Sequence, residues 1–123
     1  MSGGRLVSIV DDDESVRQAI HGLLRSVALP VVAFASAEDF LRSDHLESTG
    51  CLILDLRMPG MDGLELYKRL AREGRRIPII ILTAHGDDAA RASALEAGAV
   101  AFLRKPADPE ALLAAVESSL GRR

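Results

Sequence analysis

A chain of 123 residues and 13.2 kDa has room for one domain with one sizeable core, and 48% hydrophobic with 27% charged residues excludes a disordered chain. Fifteen Lys and Arg against eighteen Asp and Glu leave a net charge of -3, which argues against a surface that coats nucleic acid. The apolar runs are about five or six residues long, far short of the ~20 that span a bilayer. The single Cys51 excludes an internal disulfide and suits a reducing cytoplasm.

Met1 to Arg5 carries one positive charge ahead of a short apolar stretch that runs straight into Asp11, Asp12 and Asp13, so it does not read as a signal peptide. That stretch, Leu6–Val10, is the first of five apolar runs that do not alternate with polar residues, as expected of strands buried on both faces. A helix follows from about Glu14 to Val27, with Val16, Ala19, Ile20, Leu23, Leu24 and Val27 on one stripe and Asp13 as its N-cap. Val31–Ala35 predicts the second strand, and Ser36 caps a helix over Ala37–Leu46. Cys51–Leu54 predicts the third strand. The third helix follows Asp62, presents Leu64, Tyr67, Leu70 and Ala71, and stops near Gly74, a residue suited to a left-handed C-terminal cap. Ile77–Leu82 and Ala99–Leu103 predict the last two strands. Between them Asp88–Ala97 is an Ala-rich helix ending at Gly98, and Asp108-Pro109 opens a final helix that buries Leu112, Leu113, Val116 and Leu120.

Strand and helix thus alternate five times across residues 1–123. This pattern predicts a single α/β domain, a flavodoxin-like (βα)5 fold with a five-stranded parallel sheet in the order 2-1-3-4-5. In such a sheet ligands bind beyond the carboxyl ends of the strands, where Asp11, Asp12, Asp13, Asp55, Thr83 and Lys105 stand. Carboxylates crowded together repel unless a cation neutralises them, and a hard ion such as Mg²⁺ takes oxygen ligands. Asp11–Asp13 alone also fits a solvated capping cluster, Lys105 an exposed loop lysine, and Thr83 an ordinary strand end. Asp55 shifts the balance, because a charge at the end of a doubly buried strand needs a partner. His21, His45 and Cys51 have no ligand cluster around them and read as structural or surface residues.

The runs Val7-Ser-Ile-Val-Asp-Asp-Asp13, Leu52-Ile-Leu-Asp55, Arg57-Met-Pro-Gly-Met-Asp-Gly63, Ile79-Ile-Ile-Leu-Thr-Ala84 and Phe102-Leu-Arg-Lys-Pro106 together resemble the receiver domain of two-component response regulators. Phe34-Ala-Ser-Ala-Glu-Asp-Phe40 and Met58–Gly63 look most like receivers of the nitrogen-fixation regulator type, which are usually fused to a helix-turn-helix output domain. No output domain is expected within these 123 residues. The resemblance implies that Asp55 accepts a phosphoryl group from a sensor histidine kinase, the domain catalysing its own phosphorylation and dephosphorylation without being a conventional enzyme. It implies Mg²⁺, replaceable by Mn²⁺, bound directly by Asp12, Asp55 and the Arg57 backbone carbonyl, with Asp11 acting mostly through a water. Lys105, Thr83 and the Ala84 amide would contact phosphoryl oxygens, the Lys105-Pro106 bond would be cis, and Thr83 and Phe102 would form a switch acting on the fourth helix and fifth strand. Arg57 and His85, where many receivers carry an amide or carboxylate at one of the two positions, would set the lifetime of the phosphoryl group. A cytoplasmic regulator of transcription follows, with dimerisation on phosphorylation, no direct nucleic-acid binding by this domain and no membrane association. A phosphohydrolase of the haloacid-dehalogenase type would need an acid two residues after its nucleophile, where Arg57 stands. A receiver-like interaction module that works without phosphorylation is the alternative.

Overall fold

The computed structural model describes residues 5–84 and 88–121. Each apolar run forms a strand and each amphipathic segment a helix, in the order β1 (Leu6–Val10), α1 (Glu14–Ser26), β2 (Val31–Phe34), α2 (Ala37–Arg42), β3 (Thr49–Leu54), α3 (Gly63–Arg72), β4 (Ile79–Thr83), α4 (Asp88–Glu96), β5 (Ala101–Arg104) and α5 (Pro109–Ser119). The strands pair in parallel in the order β2-β1-β3-β4-β5, the flavodoxin-like arrangement. Central β3 is buried at every residue, whereas the edge strands β2 and β5 are partly exposed. This is why the apolar runs lack alternation: both faces of the central strands are covered.

Successive side chains of a strand still point to opposite faces. Cys51 and Ile53 join Val7, Ile9, Ile80 and Leu82 under α1 and α5, while Leu52 and Leu54 join Val10, Ile79, Ile81 and Phe102 under α2, α3 and α4. Burial pushes the Cys51 thiol up to about 11, so it stays protonated and serves as a small apolar filler.

Several boundaries differ from expectation for local reasons. β3 begins at Thr49, whose Oγ1 donates to the His45 carbonyl at 2.7 Å and shares a buried 2.7 Å hydrogen bond with Ser8 Oγ. β4 begins only after Pro78, which has no N–H for a ladder. β5 starts at Ala101 because the Ala99 N–H closes the end of α4 by donating to the Ala94 carbonyl. α2 stops at Arg42, four residues early. The Ser43 N–H and hydroxyl both donate to the Phe40 carbonyl and end the helix there, while Leu46 still packs on the core. The buried face of α3 carries Gly63, Leu66 and Leu70, with Leu64 and Tyr67 at its margins and Ala71 exposed. In α1 only Ile20 and Leu24 are fully buried, and in α5 only Leu112 and Val116.

Candidate functional site

The carboxyl ends of β1, β3, β4 and β5 meet on one rim of the sheet, and the ladder runs one residue past three of them. The Asp11 N–H donates to the Phe34 carbonyl, the Asp55 N–H to the Val10 carbonyl and the Lys105 N–H to the Thr83 carbonyl, each at 3.1 Å. The backbone of each site residue is thereby held by its neighbouring strand. Asp11 and Asp55 are only 2% and 5% exposed, so both charges must be paired.

Lys105 provides the pairing. Its Nζ donates to Asp11 Oδ2 and to Asp55 Oδ2, each at 2.8 Å, from a side chain that is itself mostly buried. The remaining carboxylate oxygens accept from backbone: Asp11 Oδ1 from the Asp13 N–H at 2.9 Å and Asp55 Oδ1 from the Arg57 N–H at 3.2 Å. Burial raises the Asp11 acid above the ordinary carboxylate value, against the opposing pull of Lys105 and the Asp13 N–H. Burial would also depress the Lys105 ammonium, but its hydrogen bonds to Asp11 and Asp55 outweigh this and hold it above the ordinary lysine value.

Asp12 is exposed beside this pair. One carboxylate oxygen from each of Asp11, Asp12 and Asp55 lies within 4.8 Å of the others. An all-oxygen set of hard donors at the rim of the sheet suits Mg²⁺ or Mn²⁺, which keep several waters. Asp13 turns away and caps α1, accepting from the Ser15 and Val16 N–H groups.

Thr83 is fully buried at the end of β4. In register Ile81 faces Phe102 and Thr83 faces Arg104, so Thr83 and Phe102 share one side of the sheet, two residues apart along the strands. Phe102 is buried in the core under α4. The Lys105-Pro106 peptide is cis. The Arg57 side chain is exposed. His85 lies outside the described residues.

Two contributors were not anticipated from the sequence. Arg17, in the first half of α1, donates from Nη1 to the Asp11 carbonyl at 2.7 Å and so braces the β1–α1 turn. A cation near a helix N-terminus opposes the helix dipole, and that mismatch was the available signal. Gly63 is the second: a Cβ there would overlap the Asp55 carbonyl oxygen and come within 2.9 Å of the Leu56 Cα, and the Gly63 N–H donates to the Leu56 carbonyl at 2.9 Å. Only glycine lets α3 start against the backbone of the β3 end.

A family model described as the response regulator receiver domain matches residues 7–117. The response regulator protein TmoT of Ectopseudomonas mendocina is 44% identical over 115 residues, covering 94% of this chain and 52% of that protein. The transcriptional regulatory protein FixJ of Azorhizobium caulinodans is 43% identical over 116 residues, covering 94% of this chain and 55% of that protein. A response regulator receiver protein from Burkholderia phymatum has a solved structure that superposes with a TM-score of 0.81 at 42% identity, covering 96% of each chain. The chain spans about half the length of the curated relatives it matches.

Proposed function

The chain belongs to the response regulator receiver domain family of two-component systems, and from that premise we propose that it is a phosphorylation switch whose acceptor is Asp55. The observation that carries this reading is the Lys105 ammonium held between the buried carboxylates of Asp11 and Asp55 at adjoining strand ends. One Asp55 carboxylate oxygen attacks the phosphorus of a phosphohistidine on a sensor histidine kinase. The P–N bond breaks, the imidazole leaves with its electron pair, and Asp55 becomes an acyl phosphate. Little covalent assistance is needed beyond alignment and charge neutralisation.

Asp11, Asp12 and Asp55, with the Arg57 carbonyl, are the residues that would hold Mg²⁺ or Mn²⁺. When bound, the ion supplies a positive charge that offsets the anionic oxygens of the transferring group. Lys105 is already within hydrogen-bond distance of the acceptor and reaches a phosphoryl oxygen with little movement. Thr83 and the Ala84 N–H donate to the others. Because Thr83 gains this anionic partner only in the phosphorylated state, it can bias a two-state element, with Phe102 on the same side of the sheet relaying the change to α4 and β5. Arg57 and His85 govern how long the acyl phosphate lasts.

The same reading assigns residues 1–123 to one receiver and no output domain. It places the domain in the cytoplasm, and among the described residues no helix is long and apolar enough to cross a membrane. It makes phosphorylation the trigger for self-association and gives this domain no direct nucleic-acid contact, although relatives of about twice its length are named transcriptional regulatory proteins. The test is the intact mass after incubation with acetyl phosphate. Gain of one phosphoryl group with Mg²⁺, and none with EDTA or in Asp55→Asn, is expected. A wild-type protein that gains none would favour an interaction module that works without phosphorylation, and phosphorylation of Asp55→Asn would overturn the assignment of the acceptor.

A further inference from the structure

We propose that Glu38, on α2, is a positioning residue for the loop after the acceptor strand: its carboxylate holds the backbone at Gly60 and Met61 and thereby keeps the 56–62 segment ordered beside Asp55. Glu38 Oε2 accepts a hydrogen bond from the Met61 N–H at 3.0 Å, across 23 residues of sequence. Gly60 has φ of +74°, and a Cβ added there would lie 2.8 Å from the same oxygen. Glycine at 60 therefore serves two needs at once, the left-handed backbone and the close approach of the carboxylate.

The two ends of the loop are fastened locally. The Arg57 N–H donates to Asp55 Oδ1, the Gly63 N–H donates to the Leu56 carbonyl, and Asp62 and Glu65 form a reciprocal capping box at the start of α3. Among the described residues, Glu38 supplies the one side-chain hydrogen bond that reaches residues 56–61 from another element. α2 is a firm base for it: Ser36 caps the helix, and Ala37 and Phe40 are buried in the cluster that also takes in Met58 of the loop. The bond to the Met61 N–H also holds the Glu38 acid below the ordinary carboxylate range, so it is an ionised acceptor at neutral pH. The two segments Phe34–Phe40 and Met58–Gly63, far apart in sequence, are thus one contact.

The consequence follows from preorganisation. A loop already ordered in the free protein gives up little entropy when its backbone is used as a ligand, and a loosened one must be ordered at that step. This inference rests on the metal-assisted reading above. Its test is Mg²⁺ affinity, by titration calorimetry, of the wild-type protein, Glu38→Ala, Glu38→Gln and, as a control on the same helix, Asp39→Ala. Loss of one such bond weakens Mg²⁺ binding by about three- to tenfold in Glu38→Ala. Glu38→Gln, which keeps an acceptor oxygen, should recover most of this, and Asp39→Ala should match wild type. In the absence of metal, hydrogen exchange at the Met61 amide should accelerate in Glu38→Ala and not in Asp39→Ala. Unchanged affinity in Glu38→Ala, or a Gln variant as weak as the Ala variant, overturns the positioning role alone. A wild-type protein that binds no Mg²⁺ instead brings down the metal-assisted reading and the inference with it.

Discussion

Asp11 and Lys105 share one ion pair, yet their surroundings treat the two charges differently. Lys105 faces two carboxylates, so its charge is favoured despite burial. Asp11 is more deeply buried and sits among like charges, so its charge is disfavoured despite Lys105. A raised carboxylate means that the folded state holds the Asp11 proton more tightly than the unfolded chain does. That contribution to stability is fully present below the ordinary value of 3.8 and is lost as pH rises through the raised folded value. In EDTA, Asp11→Asn should therefore gain stability relative to wild type as pH rises through this window, a difference that urea denaturation at several pH values would register. Arg57, two residues after Asp55, is exposed. Its guanidinium has no acceptor with which to orient a hydrolytic water and can instead pair with phosphoryl oxygens. Arg57→Asn should speed loss of the acyl phosphate about tenfold, equivalent to ~1.4 kcal/mol in barrier, as read from decay after removal of the phosphodonor.

At the scale of the element, α1, α3 and α4 end in the same way. In each, the residue after the cap donates to the carbonyl three back and the next residue donates to the carbonyl five back: Ala28 to Arg25 and Leu29 to Leu24, Gly74 to Ala71 and Arg75 to Leu70, Gly98 to Leu95 and Ala99 to Ala94. The motif demands a left-handed residue. Gly74 at φ of +74° and Gly98 at +111° meet this without strain, whereas α1 uses Ala28 at +63°. What sustains α1 is packing, since Leu29 beyond the turn is buried with Leu24 in the core under α1 and α5. Ala28→Gly should stabilise the protein by about 1 kcal/mol in urea denaturation. Gly74→Ala, whose new methyl would meet nothing within 4 Å, should destabilise it by about the same amount through backbone strain alone. α4 is anchored most lightly, with Ala94 its one fully buried residue and Leu95 39% exposed. An element held by so little apolar contact is the kind that can shift at small cost when the strand end beside it changes.

Across the whole molecule, the sheet order makes β1 and β3 neighbours and sets β4 and β5 beside them, so residues up to 94 positions apart in sequence, Asp11 and Lys105, touch. Burial disfavours the Asp11 charge in the free protein, and a divalent cation held by Asp11, Asp12 and Asp55 would offset that cost. Metal at ten times its dissociation constant stabilises the native state by about 1.4 kcal/mol, which for a domain of this size raises the melting midpoint by about 5 °C. Mg²⁺ should produce this rise in the wild-type protein, EDTA should abolish it, and Asp55→Asn should show a much smaller one.

The elements and the rim of the sheet are legible in the order of residues alone. Unbroken apolar runs ending in Asp11, Asp55, Thr83 and Lys105 mark strands covered on both faces, and Asp13, Ser36, Asp62 and Asp108 mark helix starts, because burial pattern and capping are local properties. The buried face of α3 runs through Gly63, Leu66 and Leu70 and leaves Ala71 exposed, because Gly63, which sets how the helix sits on the sheet, owes its place to the Asp55 and Leu56 backbone and not to a hydrophobic pattern. The division of Lys105 between two acids, the Arg17 brace on the Asp11 carbonyl and the Glu38 clamp on Met61 were likewise decided by the tertiary structure. Periodicity tells which side of an element faces inward, but which polar atoms meet across elements depends on strand order, register and loop path, and these exist only once the core has closed.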